Sequence, residues 1–134
     1  MFLLDTDVLS SLRRSDRNPK LVRWVETHQT SNLHVSVVTI GEIERGIEQQ
    51  RRRNPAFADE LGNWLGRVLA FYQDRVLPVD VAIARRWGRL SATIGNNSVD
   101  LLIAATALEH GFTVVTRNVR HFMPTGVPTL NPIE

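Results

Sequence analysis

Apolar positions along the chain fall into two alternating patterns. Five short runs are continuous enough to be buried strands: 2–4 (FLL), 34–38 (HVSVV), 76–79 (VLPV), 113–116 (TVVT) and a weaker 127–130 (VPTL). Between them, apolar residues recur every three or four positions, the period of a helix resting on a core. Strands that alternate with helices predict an α/β fold with a parallel sheet. Pro128 puts the last run at an edge, because proline has no N–H to give to a ladder.

Capping chemistry marks where the helices start. Asn18-Pro19 and Asn54-Pro55 each read as an N-cap followed by proline at the first helical position, opening helices near 19–28 and 55–74. In the second, Phe57, Leu61, Trp64, Val68 and Phe71 form one stripe aimed at a core. Asp80 caps a further helix with a stripe of Ile83, Trp87, Leu90 and Ile94. Residues 99–110 are apolar nearly all round and end at Gly111, which predicts a buried helix. No internal repeat, linker or low-complexity tract interrupts the pattern.

Length and composition fit this picture. A chain of 134 residues with 43% hydrophobic residues buries enough surface to fold as one domain over 1–134. The absence of cysteine excludes a thiol nucleophile, a redox pair and a Cys-bound zinc, and it fits a reducing cytoplasm. The start, MFLLDTD, meets an acid at its fifth residue and lacks the features of an export signal. No apolar run approaches the roughly 20 residues of a membrane span. Lys20 is the one lysine among 16 basic residues, so the positive charge is almost wholly arginine. Guanidinium groups suit phosphate, and biased codon usage produces the same composition.

In a parallel sheet, reactive groups gather beyond the carboxyl ends of the strands, where strand order reverses. Asp5 and Asp7 directly follow the first run, Glu42 follows the second by a few residues, and Asp100 sits in the first turn of the most apolar helix. Three elements thus aim carboxylates at one region. Such a cluster repels itself unless a cation neutralises it, and Mg²⁺ takes oxygen ligands. Two such ions about 4 Å apart are a recurring device for in-line displacement at a phosphodiester.

Each acid also has a structural reading. Thr39-x-x-Glu42 has the form of a capping box. Asp100, behind Ser98 as N-cap, complements a helix dipole. Asp7 caps a short helix over 8–13. Asp5 is the hardest to explain this way, since a carboxylate directly after a buried strand must be paired or bind something. Absences narrow the chemistry further. The chain has no dinucleotide or nucleotide-triphosphate loop and no nucleophile elbow. Its histidines (28, 34, 110 and 121) lack metal-ligand spacing and read as packing or surface residues.

Four segments, LLDTDVLS, TIGEIERGI, SVDLLIAATALEHG, and VVTRNVRHF with TGVPTLNP behind it, together resemble the PIN-domain ribonucleases, specifically the VapC-like toxins of bacterial toxin–antitoxin pairs. The resemblance spans nearly the whole chain. It implies a three-layer α/β/α sandwich around a central, mostly parallel sheet of four to five strands. It also implies an acidic pocket that binds Mg²⁺ or Mn²⁺ and cleaves RNA. Asp5, Glu42 and Asp100 fall on the family's three recurrent acids. Asp5 and Asp100 are then expected to hold the ion, with Glu42 completing its shell or orienting water. The partners implied are an RNA substrate, a small antitoxin, operator DNA reached only through the antitoxin complex, and a second copy of the chain.

One departure stands out. The family usually offers a fourth acid in or just after the segment 116–121, and this chain has none there. Asn118 is a candidate to hold a water through its amide oxygen, and Thr116 matches the small hydroxyl often found at that place. Two other readings stay open. A PIN domain weakened by the missing acid would serve as a binding module for its partner. The opening Asp5-Thr6-Asp7 also resembles the first motif of haloacid-dehalogenase-type phosphatases, although the lysine that chemistry needs is represented only by Lys20, in the wrong place. For drawing RNA toward an acidic pocket, the candidates are the run of Arg51, Arg52 and Arg53 and the face of Arg85, Arg86 and Arg89. Gly62 and Gly66 suit close packing against another helix, most simply in the same chain.

Overall fold

The computed structural model describes residues 1–134. Five strands, β1 (Phe2–Leu4), β2 (Leu33–Ser36), β3 (Val76–Leu77), β4 (Thr113–Val115) and β5 (Thr129–Leu130), form one sheet in the order β3-β2-β1-β4-β5, every pair parallel. The helices are α1 (Thr6–Leu12), α2 (Pro19–Glu26), α3 (Val37–Arg51), α4 (Pro55–Tyr72), α5 (Val81–Ile94), α6 (Val99–His110) and α7 (Val119–Phe122).

Alternation along the strands divides the core in two. Leu4, Val35 and Val115 stand in register on one face and pack with Val8 and Leu9 of α1, Leu21 of α2, Ile43 and Ile47 of α3, and Leu65 and Val68 of α4. Leu3 and Val114 point the other way, onto Ile103, Ala104 and Ala107 of α6 and Phe122 of α7. Helices therefore cover both faces, the three-layer α/β/α sandwich expected. Helix α6 is apolar all round because α5 packs on it from outside while the sheet lies beneath it. Gly111 ends it at φ 71°, a left-handed turn that a side chain would resist.

Several boundaries differ from the sequence reading. Strand β2 stops at Ser36, whose hydroxyl accepts from Val38 N–H at 3.0 Å and starts α3 there, so Val37 and Val38 are helical. Helix α2 ends at Glu26 rather than at 28. Asn54 and Asp80 cap as expected, accepting from Phe57 N–H at 3.1 Å and Ile83 N–H at 2.9 Å. Asn18 does not cap; its amide donates to the carbonyls of Ser11 and Arg14. Helix α4 ends at Tyr72 and buries Ala58, Leu65, Val68 and Tyr72, a stripe turned from the expected one. Phe71 is 53% exposed and lies under the Arg75 guanidinium, 5.1 Å from the ring centre. Gly62 and Gly66 meet no neighbour where a Cβ would stand, so no helix of this chain packs against them. No helix is long and apolar enough to cross a membrane.

Candidate active site

Strand order reverses at β1: the chain leaves it toward β2 and β3, then returns on its other side as β4 and β5. The carboxyl ends of β1 and β4 flank this reversal, and in such sheets the crevice beyond them is the usual ligand position. Asp5 and Thr116 are the residues that follow these two strands. Thr116 Oγ1 donates to Asp5 Oδ2 at 2.6 Å, and Asn118 N–H donates to the same hydroxyl at 2.9 Å. Asp5 N–H in turn donates to the Val115 carbonyl at 3.1 Å.

Asp5 is 4% exposed and begins α1, its Oδ1 accepting from Val8 N–H at 2.8 Å. The cap of this helix is therefore Asp5 and not Asp7: the backbone turns helical at Thr6, directly off the strand. Burial pushes the Asp5 carboxyl above its ordinary value. The bonds from Thr116 and Val8 pull it back, while the charges of Asp7 and Asp100 push it up further. Asp5 thus combines a structural bond with an unresolved charge. An ionised carboxylate has about four acceptor positions, and two of these are in use.

Glu42 lies in the second turn of α3. Because the helix starts at Val37, Thr39 is buried in the first turn and the expected capping box does not form. Glu42 instead accepts a short hydrogen bond from the Thr6 hydroxyl, which also lies 3.0 Å from Thr39 Oγ1. This ties α3 to the residue after Asp5. Asp100 is in the first turn of α6, as read from sequence, but Ser98 makes no side-chain cap. Its Oδ2 lies 3.3 Å from His121 Nδ1. Sequence spacing gave no reason to assign His121 a role, because its neighbour comes from another helix.

Two more residues close the rim. Asn118 is exposed before α7. Arg117 reaches back to α1, giving Asp7 Oδ2 bonds from Nη2 at 2.8 Å and Nε at 3.1 Å, and Ser11 Oγ one from Nη2 at 2.6 Å. Asp7 is thereby paired with Arg117 at the surface.

The donors fit a hard divalent cation in chemistry: oxygen ligands, a buried carboxylate with free acceptor positions, and like charges that a cation would relieve. No three His, Asp or Glu side chains are gathered closely enough to cage an ion unaided. Mg²⁺ seldom needs such a cage, since it commonly takes one or two carboxylates with waters and substrate phosphate oxygens. The two carboxylates whose charges act on each other are Asp5 and Asp100, while Glu42 reaches Asp5 only through the neighbouring Thr6 and lines a separate cavity with Arg13 and Trp64.

The arginines expected to gather RNA are partly engaged elsewhere. Arg51 pairs with Glu48 and Asp59, both at 3.3 Å, and Arg86 is clamped to Glu109 at 2.7 Å.

Comparison with known proteins gives a consistent family. The model of the PIN domain matches residues 2–122. VapC ribonuclease Y4jK of Sinorhizobium fredii is 33% identical, over 100% of this chain and 99% of that protein. Toxin FitB of Neisseria gonorrhoeae is 28% identical, over 98% of each. A solved structure of FitAB bound to the IR36 DNA fragment superposes with a TM-score of 0.86 at 28% identity, covering 100% of this chain and 96% of that one.

Proposed function

The chain belongs to the PIN-domain family, and from that premise we propose that it is a divalent-metal-dependent ribonuclease, the toxin of a toxin–antitoxin pair. The observation that carries the reading is the buried Asp5 at the strand-order reversal, bonded to Thr116 and pressed by the charge of Asp100. The relatives named as a VapC ribonuclease and a toxin support it.

Asp5 and Asp100 would hold the cation, Mg²⁺ or Mn²⁺. When bound, that ion would offset the charge of the scissile phosphate and lower the pKa of a water, so that the water gives up a proton and becomes the nucleophile. The chain's own residues do the rest. Thr116 and Val8 N–H fix the Asp5 carboxylate in one orientation and leave acceptor positions for the ion. Glu42, held by Thr6, presents a carboxylate that orients the attacking water and takes its proton. Asn118 offers an amide oxygen at the rim for a further water. Hydrolysis leaves a 5′-phosphate and a 3′-hydroxyl.

A toxin of this kind needs silencing in its own cytoplasm. A small antitoxin is therefore the expected partner, with operator DNA contacted through the complex; the DNA-bound FitAB relative supports that arrangement. A second copy of the chain would pair through the open face of α4 around Gly62 and Gly66. The lack of a three-residue cage favours one competing reading, a weakened domain kept for partner binding. RNA cleavage by the purified chain in Mg²⁺ or Mn²⁺, abolished by EDTA, separates the two; a chain that binds its partner but cuts nothing supports the second.

A further inference from the structure

Two cavities lie beside the acidic crevice and share Arg117. One, of about 400 Å³, is lined by Arg117, Asn118, Arg120 and His121, with Glu134 its one acid. The other, of about 280 Å³, is lined by Arg17, Lys20 and Arg117 and holds no acid at all. Arg17, Lys20 and Arg120 take part in no ion pair or side-chain hydrogen bond, unlike Arg51 and Arg86. Arg117 is anchored by Nε and Nη2 to Asp7 and Ser11, which leaves Nη1 unpartnered. At the near end, His121 of the first cavity lies 3.3 Å from Asp100, so the row starts beside one candidate metal ligand.

We propose that Arg120, Arg117, Lys20 and Arg17 form a track for the phosphates of the RNA strand flanking the scissile bond, leading out of the crevice along the α7 and α2 side. The inference rests on the nuclease reading and deepens it by naming where the substrate lies. A self-repelling row of cations next to an acidic pocket is what an incoming polyanion needs. The pocket repels the strand except at the metal, and the row supplies the compensating attraction. Arg117 is a positioning residue: its pair with Asp7 fixes the guanidinium at the point where the two cavities meet. A track of backbone contacts carries no base readout, so it governs affinity and salt dependence rather than sequence choice.

The test uses the full chain. Binding of a labelled, unstructured RNA oligonucleotide is measured by fluorescence anisotropy in EDTA over a range of KCl concentrations, and cleavage kinetics are measured in Mn²⁺. The triple variant Arg17→Gln, Lys20→Gln, Arg120→Gln is compared with wild type and with Arg45→Gln, Arg67→Gln, two exposed arginines of α3 and α4 that line neither cavity. Losing three phosphate contacts lowers the slope of log K against log[salt] by about 2 in magnitude. The track variant should show that drop and a raised KM with kcat unchanged, and the Arg45, Arg67 variant should show neither. An unchanged slope in the track variant while wild type still cuts RNA overturns the track alone. So does loss of affinity for a co-purifying protein with RNA binding intact. A wild-type chain that neither binds nor cuts RNA overturns the nuclease reading and the track together.

Discussion

Thr116 and Asp5, 111 residues apart in sequence, meet through a 2.6 Å hydrogen bond at the ends of adjacent strands. That bond sets one carboxylate oxygen, while Val8 N–H sets the other. Thr116→Val keeps the volume and β-branching but removes the donor. Loss of an outer partner of a metal ligand typically costs about 10–100-fold in metal affinity or activity. Thr116→Val should fall in that range and Thr116→Ser should not; isothermal titration with Mn²⁺ reads the difference.

Asp5 itself trades stability for chemistry. Its folded pKa lies above the ordinary 3.8, so its contribution to stability is full below that value and is lost as pH rises through the folded value. At neutral pH the buried charge therefore opposes folding. Asp5→Asn should melt above wild type at pH 7.5 in EDTA, and Mn²⁺ should raise the melting temperature of wild type only. A variant that melts lower in EDTA contradicts this account of Asp5.

His34 carries the opposite sign. Buried beside Phe112 with its Nδ1 3.3 Å from the Phe2 carbonyl, it has a pKa pushed below 6.5 chiefly by burial. Its contribution is full above 6.5 and is lost as pH falls toward the lowered folded value. Thermal unfolding at pH 7.5 and pH 5.5 should show wild type losing stability on acidification and His34→Asn losing less.

Arg75 is structural. Its guanidinium donates to the carbonyls of Leu33 at 2.7 Å and Phe71 at 2.9 Å and rests on the rings of Phe71 and Tyr72. Arg75→Lys keeps the charge but loses the fork that spans both carbonyls. It should cost about 2 kcal/mol in urea unfolding, with RNA cleavage by the folded fraction unaltered.

The layered fold was legible because strand and helix periods are local. So were the places of Asp5 after a strand and of Asp100 in the first turn of a helix, since both are read along one segment. Relationships across segments were not. The Thr39–Glu42 capping box failed because Ser36 started the helix three residues earlier. Asp7 does not cap α1, because the helix starts at Thr6 behind Asp5 and the partner of Asp7, Arg117, lies 110 residues away. The rotation of the α4 stripe depends on which side the sheet lies. His121 gave no signal because its position opposite Asp100 is created by tertiary packing.

The most direct test of the central claim is end-mapped cleavage of RNA by the purified chain and by its Asp5→Asn and Asp100→Asn variants, each with Mn²⁺ and with EDTA. The account predicts 5′-phosphate products from wild type in Mn²⁺ only, and none from either variant while both remain folded. Cleavage that persists in EDTA, or in folded Asp5→Asn, would contradict it.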